Sequence, residues 1–442
     1  MSTEWAGRRL HFVGIGGAGM SGLALVAHAL GATVSGSDRA AGSPYLAPLC
    51  ALGIEPAVGH DGGNVPEHAE LVVSSAIAPG NPERAAGRER GLRELHRAEL
   101  LGELTRLRPT IAVTGTHGKT TTASMLVHVL RGCGMDPGYL VGGAVRSTGS
   151  NAGWGTGDWL VVEADESDRS LLALTPAIAV LTNAELDHHT TYSSQRDVDE
   201  TFRSFLALAQ RAAVVWDRPR LLALAPAGIP LTPFDAVAEL TAGGSRFTLD
   251  GVAVELTVPG AHNARNAAAA LTAARLAGAD PEAAAAVLRD FEGAGRRFEL
   301  VGTTSRGAVV VDDYAHHPTE VAATLEAART LEPRRLIAVF QPHLYSRTAR
   351  QAAEFGAALA AADAVVVLDV YPARERREDF PGVSGLLVAR AAADAAGGRP
   401  VTWLPTLADA ETLLAPRLRD GDLVLTLGAG DVDELGRALV AR

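Results

Sequence analysis

The sequence predicts an α/β protein of three domains, and three observations carry that prediction. Short β-branched apolar runs alternate with Ala- and Leu-rich stretches from end to end, the pattern of parallel sheets with helices on both faces. A length of 442 residues corresponds to about three domains at roughly 100–200 residues each. The apolar runs end in polar residues at their carboxyl tips, where open α/β sheets gather ligands.

The elements follow in order. LHFVGIGG, ATVSGSD and LVVSSAI read as the first strands, and RELHRAELLGELTR reads as a helix interrupted at Arg108-Pro109. A second series contains TIAVTG, WLVVEAD and AIAVLTN. In RFTLDGVAVELTV the Asp250-Gly251 pair signals an antiparallel hairpin, and an alanine-rich helical pair follows it. From residue 299 a third series runs through GAVVVDDYAHHP, RRLIAVFQPH, ADAVVVLDV, PVTWLP and DLVLTLGAGD. The expected domains are residues 1–107, 108–297 and 298–442.

Bulk properties exclude several function classes. A formal net charge of −11 and the lack of a basic, aromatic-interleaved segment argue against nucleic-acid binding. No apolar run approaches the ~20 residues of a membrane span. MSTEWAGRRLHFVGIGG enters a strand pattern directly, without a secretory leader. Cys50 and Cys133 are the only cysteines and have no metal-ligand spacing, so a reducing, cytoplasmic setting is expected.

Two glycine loops carry the chemistry. The first, GIGGAGMSG, places Gly14, Gly16 and Gly19 between a strand and a helix, and Asp38 follows about twenty residues later. This spacing brings backbone N–H groups and a helix N-terminus to a diphosphate. It fits a nicotinamide dinucleotide and a nucleotide sugar equally, and glycines also serve a tight strand–helix turn. The second loop, IAVTGTHGKTTTAS, resembles a phosphate loop but leaves only Thr116 and His117 between Gly115 and Gly118. Lys119 can reach β/γ-phosphate oxygens and Thr120 can ligate Mg²⁺, which makes ATP the expected guest. Downstream, WLVVEADESD ends in Glu163, Asp165, Glu166 and Asp168, and AIAVLTNAELDHHTTY ends in Glu185, Asp187, His188 and His189. Carboxylates and imidazoles at neighbouring strand tips suit one or two Mg²⁺ ions.

TGTHGKTT is similar to the shortened phosphate loop of the Mur ligases. GIGGAGMSG, EADESD, DHH-x-TY, GAHNARNAAAA, GAGRRFE, DDYAHHPTE and FQPHLYSRT extend the resemblance over essentially the whole chain, in the family's order. The match is to the branch that adds the first amino acid in peptidoglycan precursor synthesis. The resemblance implies a Rossmann-like N-terminal domain for the UDP-sugar and a central P-loop ATPase-like α/β domain for ATP and Mg²⁺. A C-terminal Rossmann-like α/β domain for the amino acid completes it. The implied activity is ATP-dependent joining of L-alanine to the lactyl carboxylate of UDP-N-acetylmuramate through an acyl phosphate. A monomer or weak homodimer is expected.

On this resemblance Gly14, Gly16, Gly17, Ala18, Gly19, Asp38, Ser74, Ser75 and His96 serve the UDP-sugar. Thr114, Gly115, Thr116, His117, Gly118, Lys119, Thr120 and Thr121 serve ATP, with His262, Asn263, Asn266, Arg296 and Asp313. PGAHN is equally a helix start with an asparagine cap. Thr120, Glu163 and His188 match the metal positions, and Lys119, His188 and Arg297 are the expected catalytic residues. Asp312, Asp313, Tyr314, His316 and His317 crowd one strand tip, more than capping a helix needs. Arg347 is the expected partner of the alanine carboxylate, in a pocket shaped by Tyr314, His316, His343 and Tyr345. Two positions depart from the family: Thr190 stands where Asp is common, and Leu344 where Arg is frequent.

Overall fold

The computed structural model describes residues 5–441. They form two compact units: residues up to 235 with 265–291, and residues 236–264 with 292 onward.

The first unit holds two sheets. Strands β1 (Arg9–Val13), β2 (Thr33–Asp38), β3 (Ala57–Val58), β4 (Glu70–Val73) and β5 (Glu94–His96) lie in the order β3-β2-β1-β4-β5, all parallel. This is a Rossmann-like order, and its direction reverses between β1 and β4. The glycine loop leaves β1 and Ser74-Ser75 leaves β4, so both stand at the crevice where such sheets bind ligands.

The second sheet contains β6 (Thr110–Thr114), β7 (Gly138–Val145), β8 (Ser150–Trp154), β9 (Leu160–Glu163), β10 (Ile178–Leu181), β11 (Ala212–Trp216) and β12 (Leu231–Phe234). Its order is β12-β11-β10-β6-β9-β7-β8, parallel except for the β7–β8 hairpin. β6 is buried along its whole length, as Thr-Ile-Ala-Val-Thr between two helical layers requires. The helix Gln195–Leu206 buries Val198, Thr201, Phe202, Phe205 and Leu206, one face at helical spacing. Each such large apolar side chain contributes about 1.5–3 kcal/mol on burial.

RELHRAELLGELTR does not start as a helix. Glu94–His96 form β5, and the helix begins at Arg97 because His96 caps it. The His96 Nδ1 accepts the Ala98 N–H (3.2 Å) and Glu99 accepts the His96 N–H (2.7 Å). Leu95 gains a buried place beside β4 that a helix turn would forfeit.

The helix Ala18–Ala29 packs against β7 and β8. Gly22 permits this approach, since a β-carbon there would lie 3.2 Å from the Ala152 Cβ. Asn151 donates to the Ala18 carbonyl at the same contact (2.6 Å).

In the second unit β13 (Glu239–Thr241), β14 (Gly244–Leu249) and β15 (Val252–Leu256) form an antiparallel sheet. The expected hairpin turn has positive φ at both Asp250 and Gly251, the mirror-image turn that matches strand twist. The larger sheet comprises β16 (Glu299–Thr303), β17 (Val309–Asp313), β18 (Arg335–Phe340), β19 (Ala364–Val367), β20 (Val401–Trp403) and β21 (Asp422–Leu427). Its order is β16-β17-β21-β18-β19-β20, with only β16 antiparallel to its neighbour. Among the described residues no helix is long and apolar enough to cross a membrane.

Candidate functional site

The first glycine loop is held from below. The Ser37 carbonyl accepts the N–H groups of Gly14 (2.8 Å) and Ile15 (2.9 Å). Asp38 accepts the Gly16 N–H (2.8 Å), and the Ser43 hydroxyl donates to the Gly16 carbonyl (2.6 Å). Asp38, expected beside the UDP-sugar, therefore spends one carboxylate oxygen on the loop itself. Gly17 caps the helix without a side-chain bond, leaving the amides of Ala18 and Gly19 at a bare helix N-terminus.

The second loop follows β6. Gly115 has φ +137°, and a β-carbon on it would lie 2.1 Å from the Thr182 Oγ1. Gly118 has φ +78° and packs on Asn266, whose Oδ1 would be 2.5 Å from a β-carbon there. Thr114 donates to the Ala164 carbonyl (2.8 Å) and Thr116 to the Glu185 carbonyl (2.9 Å). The His117 N–H meets Asn183 Oδ1 (2.9 Å). Helix Lys119–Gly132 then opens with Lys119, Thr120 and Thr121.

Lys119 Nζ donates to the carbonyls of Gly115 (2.7 Å) and Thr116 (3.1 Å) and pairs with Glu166 (2.9 Å). Burial alone would lower its pKa, but Glu166, Asp165 and Glu163 raise it above the ordinary value, so it stays an ammonium. Thr120 Oγ1 donates to Glu163 Oε1 (3.0 Å), and the other Glu163 oxygen accepts the Gly142 N–H (2.6 Å). His188, with φ +49°, sets its Nε2 3.1 Å from Glu166 Oε1. Thr120, Glu163 and Glu166 offer oxygen donors, and four carboxylates here, Glu163, Asp165, Glu166 and Asp168, share one ammonium and one guanidinium. That excess of negative charge and that donor chemistry fit Mg²⁺.

The guanidinium belongs to Arg97, which the sequence reading did not single out. Its Nη2 pairs with Asp165 (2.9 Å) and Asp168 (2.7 Å). Burial would raise the Asp165 pKa, but Arg97 and then Lys119 hold it at about 2. Arg97 Nη1 points to within 3.5 Å of where a Gly19 β-carbon would stand. One cavity of about 150 Å³ is lined by Ala18, Gly19, Arg97, Gly142, Glu163 and Asp165. The helix N-terminus after the first glycine loop and the Glu163 carboxylate thus face the same space. Ser75 reaches Asp168 nearby (3.4 Å), whereas His96 is engaged as a helix cap and burial lowers its pKa.

In the second unit the expected residues gather at the carboxyl ends of β17 and β18. Arg296 commits all three nitrogens, to Asp312 and the carbonyls of Gly428 and Gly430 (each 2.9 Å). It and Arg297 both lie over the Tyr314 ring, 5.2 and 5.0 Å from its centre. Asp313 accepts the N–H groups of Phe298 and Ala315 (both 2.8 Å). Burial nonetheless pushes its pKa up to about 6 against the pull of Arg297 and those amides. Tyr314, His316, His343 and Tyr371 form a row of rings with centres 5.3, 6.0 and 5.9 Å apart. Arg347 is buried beside His343, its Nη1 3.3 Å from Nδ1. Tyr345 stacks instead on Phe380, and Tyr371, absent from the expected set, takes the place beside His343. His317 caps helix Pro318–Arg329, its Nδ1 3.3 Å from the Thr319 N–H. Nearby in this unit, Asn263 donates to the Pro259 carbonyl (2.8 Å), and His262 packs on Gly260.

Three family models match nearly the full length: the Mur ligase family catalytic domain over 9–108, the Mur ligase middle domain over 113–274 and the Mur ligase glutamate ligase domain over 296–430. The chain belongs to the Mur ligase family. Among its Mur ligase relatives, the UDP-N-acetylmuramate–L-alanine ligase of Renibacterium salmoninarum is 45% identical, covering 98% of this chain and 95% of its own. The enzyme of that name from Mycolicibacterium smegmatis is also 45% identical, with the same coverage. The crystal structure of the Thermotoga maritima UDP-N-acetylmuramate–alanine ligase superposes with a TM-score of 0.83 at 27% identity, covering 98% of each chain. A murein peptide ligase from Psychrobacter arcticus shares the fold at TM-score 0.73 and 24% identity, with 98% of each chain covered. As a Mur ligase the chain has three α/β domains.

Proposed function

We propose that this Mur ligase joins L-alanine to the lactyl carboxylate of UDP-N-acetylmuramate, with ATP cleaved to ADP and phosphate, in peptidoglycan precursor synthesis. The observation that carries the reading is the shared cavity. A helix N-terminus suited to a diphosphate and Glu163, the carboxylate to which Thr120 donates, line one space. A sugar nucleotide seated on the first loop can therefore present its carboxylate towards a nucleotide seated on the second. The relatives of that activity at 45% identity over nearly the whole chain support the same choice.

In this account the lactyl carboxylate oxygen attacks the γ-phosphorus of ATP and ADP leaves, giving an acyl phosphate. The neutral amine of L-alanine then attacks the acyl carbon, phosphate departs from the tetrahedral intermediate, and the proton lost by the nitrogen leaves with it as hydrogen phosphate. Lys119 is freed from Glu166 to meet the transferring charge, and Arg297 is the assigned second cation. Mg²⁺, held by Thr120, Glu163 and His188, would supply further charge neutralisation. The domains implied are residues 1–107 for the UDP-sugar, 108–297 for ATP and 298–442 for L-alanine. Within the last, Arg347 holds the carboxylate beside Tyr314, His316 and His343. Excluding water protects the acyl phosphate from hydrolysis. The reducing conditions suited to two unpaired cysteines support a cytoplasmic setting.

Labelling the lactyl carboxylate with ¹⁸O tests the route. One ¹⁸O per turnover in the released phosphate is expected. Phosphate free of label, formed together with the alanyl product, would refute carboxyl phosphorylation.

A further inference from the structure

Glu83 takes no part in the chemistry above, yet its side chain is fully buried. It sits in the first turn of helix Pro82–Glu89, which Asn81 caps. Its carboxylate accepts from Ser37 Oγ (2.7 Å), Asn64 Nδ2 (2.8 Å) and the Asp61 N–H (3.2 Å). His11 Nε2 lies 3.3 Å away and His60 Nδ1 3.7 Å. No Lys or Arg pairs with it among the described residues. Burial would raise its pKa, but the hydrogen bonds of His11, Ser37 and Asn64 overcome this and hold it at about 2.

An ionised carboxylate only accepts, and that fixes the directions of the bonds around it. The Ser37 hydroxyl must donate to Glu83, so its oxygen is left to accept from His60 Nδ1 at 3.0 Å. His60 is thereby set with a proton on Nδ1 directed at Ser37. The same Ser37 carries, on its carbonyl, both amides that start the glycine loop. The register Ser37↔Ala57 and Asp38↔Val58 brings His60 just past the carboxyl ends of β2 and β3, beside that loop. In an open α/β sheet the nucleoside half of a bound nucleotide lies beyond those ends.

We infer that Glu83 is a positioning residue for the sugar nucleotide, acting through Ser37 on the diphosphate loop and through His60 on the nucleoside end. The inference rests on the reading that the first glycine loop takes the UDP-sugar. Its logic is preorganisation: one buried charge orients two separate loops that would otherwise be ordered only on binding.

Calorimetric titration of the full-length protein with UDP-N-acetylmuramate, and separately with UDP, tests it. Glu83→Gln is expected to weaken both ligands about tenfold or more, while KM for ATP stays put and turnover at saturating sugar nucleotide changes less than about twofold. Ser37→Ala, which removes one hydroxyl and keeps the carbonyl, shifts affinity in the same direction by less. Glu94→Gln, which breaks a surface pair with Arg84, leaves both affinities unchanged. Glu83→Gln affinities within about twofold of the parent would overturn the inference. Should Glu83→Gln not fold, unchanged affinity in Ser37→Ala overturns it equally. A parent protein that binds neither ligand would instead defeat the reading of the loop, before any substitution is made.

Discussion

Replacing Lys119 with methionine separates what its charge does for the fold from what it does for the reaction. Its ammonium lies 2.9 Å from a Glu166 carboxylate that is 2% exposed, and Glu166 has only His188 as another side-chain partner among the described residues. Removing the ammonium leaves an uncompensated buried carboxylate, a change that typically costs about 3–5 kcal/mol. Glu163 and Asp165 stand close enough to add repulsion. Against a total of about 5–15 kcal/mol for a folded protein, the loss is large. Lys119→Met should therefore lower the first urea transition by about 3 kcal/mol, read by circular dichroism. Lys119→Met with Glu166→Gln removes both charges and should recover at least about half of that loss. Neither variant should turn over, since the cation for the transferring phosphate is absent from both, with a loss of roughly a thousandfold or more. A Lys119→Met protein as stable as the parent, or a double variant that regains activity, would refute the reasoning.

Asp313 should titrate near pH 6 when followed by carboxyl carbon NMR, and a midpoint in the ordinary range near 4 would contradict its burial. The sign follows: with the folded pKa raised, its contribution to stability is complete below pH 3.8 and is lost as pH rises through about 6. Gly115→Ala forces a β-carbon against Thr182 at positive φ, so it should cost at least about 2 kcal/mol and abolish binding of a fluorescent ATP analogue. His96→Ala removes the helix cap and should lower stability by about 1 kcal/mol in the same urea assay; no change would assign the cap to other groups.

The parts of this molecule that were legible in sequence are those whose cause is local. β-branched runs such as Thr110–Thr114 and Val309–Asp313 are strands wherever they are buried on both faces. Gly115, Gly118 and Lys119 are bound to one another by backbone geometry, and the loop they make stands where the motif places it. β5 was hidden inside a helical pattern, because three residues carry no periodicity and the capping role of His96 shows only in three dimensions. β7 and β8 were hidden by the glycines of GYLVGGAVRSTGSNAGW, residues that weaken a strand signal and here admit close packing. Arg97 meets Asp165 and Asp168 from 68 and 71 positions away, and Glu83 meets His11 across 72. No spacing rule joins such pairs. Asp38 teaches a related point: the fingerprint located it correctly at the tip of β2, but its carboxylate holds Gly16.

The most direct test of the central claim is phosphate release by the purified protein with ATP, Mg²⁺ and UDP-N-acetylmuramate, with L-alanine, glycine, L-serine or the L-alanyl-γ-D-glutamyl-meso-diaminopimelate tripeptide added separately. Release that requires both the sugar nucleotide and L-alanine, with a product heavier by one alanyl residue, is the predicted result. Release that requires the tripeptide instead, or none in any mixture, would contradict it.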